Sequence, residues 1–423
     1  MAFTQKFYVV DSIMGSGKTE AIIDYINRPE NDCRHFMVIV PYLSEVERYK
    51  KECKYHHMVD PIFKTKNGKI TTKFERIKEL IMGRADIVST HSLFLRFDQE
   101  IMELIKEGEY TLILDETVNV INPYDFSSGD FDFLIKHEFI SIDYDTGIVR
   151  WNDKGSDYDG WHYAELKSLC DCNSLAYDIK TKSLFWMYPS DIFKAFCKVF
   201  VLTYHFEGQL MSYYFELNNV KYNMLGVKKS YSGYELTEYA ENKSSIDYKK
   251  LIHICDNEKM NEVGKDYFAL SSSWYDKKGN AAHIKRIKNN LHNFFQNICK
   301  AKSSQCMWTT FDKSREKVKG MGYMNGFLPV NSRATNEYIE CTAVAYTVNR
   351  YMNPFIKSFF LNHKISVDED QFALSEMLQF IWRSAIRDGK GINLYIPSSR
   401  MRGLLEDWIA ENSVQDFEQD ENK

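Results

Sequence analysis

The feature that most constrains this chain is an apolar run that ends in a glycine-rich turn. Phe7-Tyr8-Val9-Val10 leads through Asp11-Ser12-Ile13 into Met14-Gly15-Ser16-Gly17-Lys18-Thr19-Glu20, and an amphipathic stretch follows at 21–26. A buried strand, a tight loop and a helix in that order frame a phosphate-binding loop. Gly15 and Gly17 let backbone N–H groups converge on phosphate oxygens without a Cβ in the way. The Lys18 ammonium is expected on the β- and γ-phosphates, and the Thr19 hydroxyl on Mg²⁺. The start of the new helix turns its positive end to the same anion. Ser12 stands where the full pattern has its first glycine.

A second element fits the first. In 110–118, YTLILDETV, an apolar strand ends in two adjacent carboxylates, Asp115 and Glu116. A strand-end aspartate can hold the Mg²⁺ shell, and the next glutamate can polarise an attacking water. ATP with Mg²⁺ is therefore the expected cofactor pair. Residues 14–20 are expected to bind it, Thr19 and Asp115 to face the metal, and Lys18, Asp115 and Glu116 to act in catalysis.

The rest of the first half repeats a strand–helix rhythm. Short apolar runs at 7–10, 37–40, 86–89 and 111–114 read as buried strands, with helical patterns at 19–26 and 43–53 between them. This alternation argues for a mostly parallel sheet covered by helices. A fifth run of the same kind, 199–202, comes much later. The gap from about 124 to 190 breaks the rhythm with a hairpin pattern at 139–151, turning at Asp145-Thr146-Gly147. It holds 12 acidic and 6 basic residues, a net of −6. That sign makes the insertion a poor phosphate surface; a protein partner is the alternative use for it.

Length and charge bound the remainder. At ~150 residues per domain, the 423 residues allow two or three domains. With 54 Lys+Arg against 59 Asp+Glu the net charge is −5, which excludes a wholly basic coat protein but not a local basic groove. No apolar run approaches the ~20 residues of a membrane span, and the first residues lack the pattern of a signal peptide. The nine scattered cysteines suit a reducing compartment. The expected location is the cytoplasm. The polar stretch 231–247 reads as a connection, giving a first domain at 1–230 and a second at 231–423. Apolar runs recur in the second half, at 251–255, 267–270, 306–309, 326–330, 343–346 and 393–396.

Taken together, MGSGKT followed by Asp-Glu resembles the superfamily 2 helicases and translocases, and further pieces follow in the family's order. Pro41 and Tyr42 in VIVPYLSEVERYKK are similar to its segment Ia, and Thr90 and His91 in ADIVSTHSLF to segment Ib. The resemblance implies that both touch nucleic-acid backbone. Leu202-Thr203-Tyr204-His205 sits where the family couples nucleotide state to domain motion, which implies that role for Thr203 and His205. Arg333, Thr335 and Asn336 in FLPVNSRATNEY resemble a nucleic-acid-contacting motif V. Gln379, Arg383 and Arg387 in LQFIWRSAIRDG resemble motif VI, with either arginine as the finger that neutralises charge on the γ-phosphate. The implied fold is α/β, with two RecA-like domains and an α+β insertion in the first. The arrangement looks most like the small helicases of phages and mobile elements.

Two expectations can be stated physically. Spaced i, i+4, i+8, Gln379, Arg383 and Arg387 would share a face within about 80° on one continuous helix. Between 283 and 319, nine basic residues oppose Asp312 and Glu316, a local net of +7. Phe294, Phe295 and Trp308 lie among them as candidate bases' stacking partners. The leading expectation is an ATP-dependent helicase or translocase, on DNA more than RNA, acting at a single strand or fork. A monomer would suffice. A terminase-type packaging motor and an ATP-gated regulator without unwinding are the alternatives.

Overall fold

A computed structural model of the chain describes residues 6–62, 64–66, 69–152, 154, 163–231, 233–239, 246–330 and 337–413. The chain forms two compact units. One comprises Met1–Tyr239 together with Met352–Asp368, the other Ala240–Tyr351 with Glu369–Lys423.

The first unit is built on a seven-stranded sheet. Its strands are β1 (Phe7–Asp11), β2 (His35–Val40), β3 (Ile87–Thr90), β4 (Tyr110–Asp115), then after the insertion β8 (Lys198–Thr203), β9 (Asn223–Ser230) and β10 (Gly233–Glu238). The order across the sheet is β10-β9-β1-β8-β4-β2-β3, parallel except for the β9–β10 hairpin. The central strands are apolar throughout because helices cover them, as strands of a parallel sheet must be. Phe200 stacks on Tyr8 in this core, with ring centroids 5.2 Å apart, and lies tilted against Tyr25 at 5.0 Å. The division between the two units falls within the polar stretch 231–247, read as a connection, after Tyr239, and the first part of that stretch carries β10, the edge strand of this sheet. Its alternating pattern, with Leu236 buried between exposed Glu235 and half-buried Thr237, is that of a one-sided strand.

The insertion has its own small core around Phe131, Leu134, Val149 and Leu166. The expected hairpin forms between Ile140–Ile142 and Val149–Trp151, with Gly147 at φ 73° in its turn. A three-stranded antiparallel sheet of β5 (Ile121–Tyr124), β6 (Leu175–Asp178) and β7 (Ser183–Met187) runs in the order β6-β7-β5. The helix Pro354–Asn362, distant in sequence, packs on this sheet. The Phe359 and Phe185 rings are 4.9 Å apart, and Asn362 Nδ2 donates to Asp178 Oδ2 at 2.8 Å.

The second unit holds an all-parallel sheet, β11 (Ile252–Ile254), β12 (Cys306–Thr309), β13 (Ala343–Tyr346) and β14 (Ile392–Tyr395), in the order β11-β14-β13-β12. The fold class is thus the expected one: α/β, with mostly parallel sheets and an inserted α+β element. Two of the second-half apolar runs do not become strands. Residues 267–270 form a turn that exposes Tyr267 and Phe268 and puts Leu270 at φ 65°. Residues 326–330 contribute only the bridge between Phe327 and Trp308.

Two side-chain expectations are corrected here. Phe294, Phe295 and Trp308 are fully buried, and Trp308 Nε1 donates to Tyr323 O at 2.9 Å. They are core, and cannot stack on bases. The basic side chains beside them, Lys285, Arg286 and Lys288 on the helix Ala281–His292, are exposed. The shared helical face of Gln379, Arg383 and Arg387 does not form either, because the helix Glu369–Ile381 stops first. Ser384 Oγ takes the Ile381 carbonyl at 2.6 Å, competing with the helix for that acceptor, and Ala385 N–H bonds Cys341 O at 3.0 Å. Arg383 lies in the turn and Arg387 on the 3-10 segment Ala385–Asp388.

Candidate nucleotide-binding site

The chemistry-bearing residues of the first unit gather at one edge of its sheet because the strands there are parallel and in register. Asp11 pairs with Thr203, and Leu202 with Asp115. Val40 lies opposite Thr90 on the next pair of strands. Ligands of open α/β sheets bind outside these carboxyl ends.

The phosphate-binding loop leaves β1 at this edge and enters α1 (Lys18–Ile26). Gly15 and Gly17 have φ of 82° and 89°, a backbone region that costs a side chain dearly. A Cβ on Gly17 would also lie 2.2 Å from Cδ1 of Tyr234 on β10. The Lys18 ammonium curls back onto the carbonyls of Ser12 and Ile13. Ser16 Oγ is buried with no hydrogen-bond partner among the described residues. A loop with an orphaned buried hydroxyl, a lysine and a helix N-terminus fits a phosphate chain. Glu20, expected in the loop's set, turns to Arg48, 2.7 Å away.

The metal-facing pair also assembles. Thr19 Oγ1 is 3.2 Å from Asp115 Oδ2, across 96 residues of sequence. Loss of hydration pushes the Asp115 carboxyl up to about 6; the Glu116 charge adds to the rise, and hydrogen bonds from Tyr49 and Thr19 oppose it. Such a carboxylate gains most from a cation. Thr19 and Asp115 would hold Mg²⁺, which supplies charge neutralisation on the β- and γ-phosphates. Glu116 follows at φ 84°, a strained conformation for a glutamate, with its N–H fixed to Leu202 O at 3.1 Å.

The residues after β8 are tied to both carboxylate strands. Asp11 accepts from the N–H of His205 (2.9 Å) and of Phe206 (2.8 Å), holding His205 at φ 60°. Thr117, two positions beyond Asp115, donates to Gln209 Oε1 at 2.6 Å. Gln209 Nε2 in turn donates to Thr203 Oγ1 (2.8 Å) and Tyr204 O (2.7 Å). Thr203 is brought into this network, and His205 is placed by its backbone.

Four residues here were not found from the sequence: Asp11, Tyr49, Tyr234 and Gln209. Only Asp11 carried a signal, as a charged residue at the end of a buried strand. The others act through contacts between elements far apart in the chain.

Pro41 and Tyr42 open α2 (Leu43–Glu52), beside Thr90 and His91 at the end of the adjacent strand. Tyr42 is exposed, and Thr90 Oγ1 lies 3.0 Å from Ser92 Oγ. Arg333, Thr335 and Asn336 fall outside the described residues. In the second unit, Gln379 Nε2 reaches Ser375 Oγ at 3.5 Å, Arg383 is buried and Arg387 half-buried.

The model of the YonV C-terminal Rossmann-like domain matches residues 246–409, and that of the YonV middle domain matches residues 121–186, which hold the insertion. The SPbeta prophage-derived uncharacterized protein YonV of Bacillus subtilis (strain 168) is 40% identical over 416 residues, 96% of this chain and 99% of that one. Among solved structures, S. tokodaii Xpd4 is similar at 12% identity and a TM-score of 0.46, over 95% of this chain and 94% of that one. S. cerevisiae Dbp5 bound to RNA and ADP BeF3 is similar at 12% identity and a TM-score of 0.41, over 97% of this chain and 84% of that one. The shared length and identity with the Bacillus protein decide the matter: the chain belongs to the YonV family.

Proposed function

We propose that this protein is an ATP-dependent motor on nucleic acid, a helicase or translocase acting on DNA in phage or mobile-element replication. One observation carries the reading: Thr19 beside Asp115, with Glu116 and the Thr117–Gln209–Thr203 link at the same sheet edge. In it, Lys18 and residues 14–20 bind the triphosphate, and Thr19 and Asp115 take Mg²⁺. Glu116 accepts a proton from the attacking water. Arg383 or Arg387 supplies positive charge to the γ-phosphate during turnover, with Gln379 beside them in sequence. Pro41, Tyr42, Thr90, His91, Arg333, Thr335 and Asn336 contact the nucleic-acid backbone. Thr203 and His205 relay nucleotide state.

The prophage origin of the 40% identical relative supports the phage setting and, with it, a location in the host cytoplasm. Among the described residues, no helix is long and apolar enough to cross a membrane. The insertion is the surface we assign to a protein partner, and a monomer suffices for the ATPase cycle. The test is ATP hydrolysis by the full chain. Lys18→Ala and Glu116→Gln should each lower turnover by ~10²-fold or more, and turnover that survives both changes rejects the site.

A further inference from the structure

Helix α2 reaches from one end of the candidate site to the other. Its first end follows Pro41 and Tyr42, where Tyr42 and Leu43 are 38% and 64% exposed. Its second end meets the nucleotide site through two consecutive residues. The Arg48 guanidinium lies 2.7 Å from the Glu20 carboxylate, one residue past Thr19. Tyr49, fully buried, donates its hydroxyl to Asp115 Oδ2 at 2.9 Å, the same oxygen that Thr19 approaches. Tyr42 and Tyr49 are seven positions apart, two helical turns or ~10 Å. Val46 between them is buried and fixes the helix against the sheet.

Packing alone does not call for a tyrosine at 49. A phenylalanine would fill the same space without burying a hydroxyl, and a buried hydroxyl is costly unless it is bonded. Here the partner is a carboxylate that must change its surroundings when a cation arrives. Asp115 Oδ2, which accepts from Tyr49 and lies near Thr19, is the oxygen that would turn to Mg²⁺, so metal binding would bear on the Tyr49 hydrogen bond. Glu20, one residue past Thr19, ties Arg48 to the first turn of α1. Both contacts end on one helix whose other end stands at the solvent edge beside Thr90 and His91.

We infer that Tyr49 is a positioning residue that links Mg²⁺–nucleotide binding at Asp115 to the binding of a nucleic-acid strand at the start of α2. The inference rests on the proposed reading that residues 41–42 and 90–91 receive such a strand. Linkage requires the effect to be reciprocal: each ligand tightens the other by the same factor. Tyr49 contacts neither ligand and acts only through Asp115.

The experiment measures that factor without catalysis. Binding of a labelled single-stranded oligonucleotide to the full chain is followed by fluorescence anisotropy at fixed salt, with and without Mg²⁺ and a non-hydrolysable ATP analogue. Wild type should bind the strand more tightly with the analogue, by a factor on the order of 5–150. Tyr49→Phe should bring this factor to within about threefold of one, while the affinity without nucleotide stays within about threefold of wild type. Arg48→Gln, on the half-exposed side of the helix, should lower the factor in part. A thermal melt of each variant verifies that it folds. If Tyr49→Phe keeps the wild-type factor, or wild type shows no factor at all, the inference is wrong and the motor reading stands. If wild type binds no oligonucleotide under either condition, the motor reading itself fails.

Discussion

Thr117 donates a 2.6 Å hydrogen bond to Gln209, and through it the strand that carries Asp115 and Glu116 is joined to Thr203. Gln209 is buried and spends both ends of its amide inside the protein. The link crosses the sheet edge beside the place where ATP is proposed to be cut. Thr117 and Gln209 thus tie the carboxylate strand to the turn that follows β8.

Gln209→Leu keeps the volume and removes both hydrogen-bonding ends. It leaves the buried hydroxyls of Thr117 and Thr203, and the half-buried Tyr204 carbonyl, without this partner. The expected cost is about 2–4 kcal/mol, from two buried groups at ~1–2 kcal/mol each. In denaturant titrations the midpoint should fall with the slope unchanged. Stimulation of ATPase by nucleic acid should fall more than the basal rate does. A variant with wild-type stability and wild-type stimulation contradicts the bridging role.

Asp115 makes stability depend on pH with a definite sign. Its carboxyl is raised to about 6 in the folded protein, so the neutral form is the one folding favours. That contribution is complete below its unfolded value near ~4 and is lost as pH rises through about 6. Asp115→Asn should therefore melt above wild type at about pH 8 and close to it at about pH 4. The gain is roughly 2 kcal/mol once its partial exposure is allowed for. Equal offsets at both pH values contradict the raised carboxyl. The variant should also lose Mg²⁺-dependent nucleotide binding.

Gly17 carries two separate demands, a left-handed backbone and room for Tyr234. Gly17→Ala should lose nucleotide binding and stability together, with ~1–2 kcal/mol from the backbone alone and more from the clash. Tyr234→Ala in the same chain relieves only the clash. The double variant should recover part of the lost melting temperature. If it recovers none, Tyr234 does not bear on the loop.

The helix Pro354–Asn362 should be the easiest part of the first unit to detach, because it joins the unit from far along the chain and packs on the three-stranded sheet of the insertion. Phe359→Ala removes a fully buried ring that packs on Phe185, at an expected cost of ~3–5 kcal/mol. Hydrogen exchange should speed up first in 354–362 and in β7, with β1, β4 and β8 unchanged. Uniform acceleration over the whole unit contradicts this picture.

The parts that were legible in the sequence are those where local chemistry repeats a pattern. Val9-Val10 before Gly15 and Gly17, and Ile113-Leu114 before Asp115, show their strands and their loops within a dozen residues. The hairpin at Gly147 declares itself by its turn. What was not legible depends on residues that meet only after folding. Gln209 looks like an ordinary helix-flanking residue, and Tyr49 like an ordinary residue within a helix, until the sheet register brings Asp115 and Thr203 to them. The edge strand Gly233–Glu238 was hidden by its polar composition, since one of its faces is solvated. The spacing of Gln379, Arg383 and Arg387 suggested a helical face. A serine and a carbonyl from Cys341 ended the helix at Ile381, and neither effect has a period.

The central claim is that this site hydrolyses ATP in response to nucleic acid. The most direct measurement is the ATPase rate of the full chain at saturating Mg²⁺–ATP, titrated with single-stranded DNA, duplex DNA and RNA at one stated salt concentration, because nucleic-acid affinities fall steeply with salt. The account predicts a rate that rises at least ~10-fold with single-stranded DNA, a factor worth about 1.4 kcal/mol in barrier height, and that vanishes in Lys18→Ala. A rate that is the same with every nucleic acid, or that persists in Lys18→Ala, contradicts it.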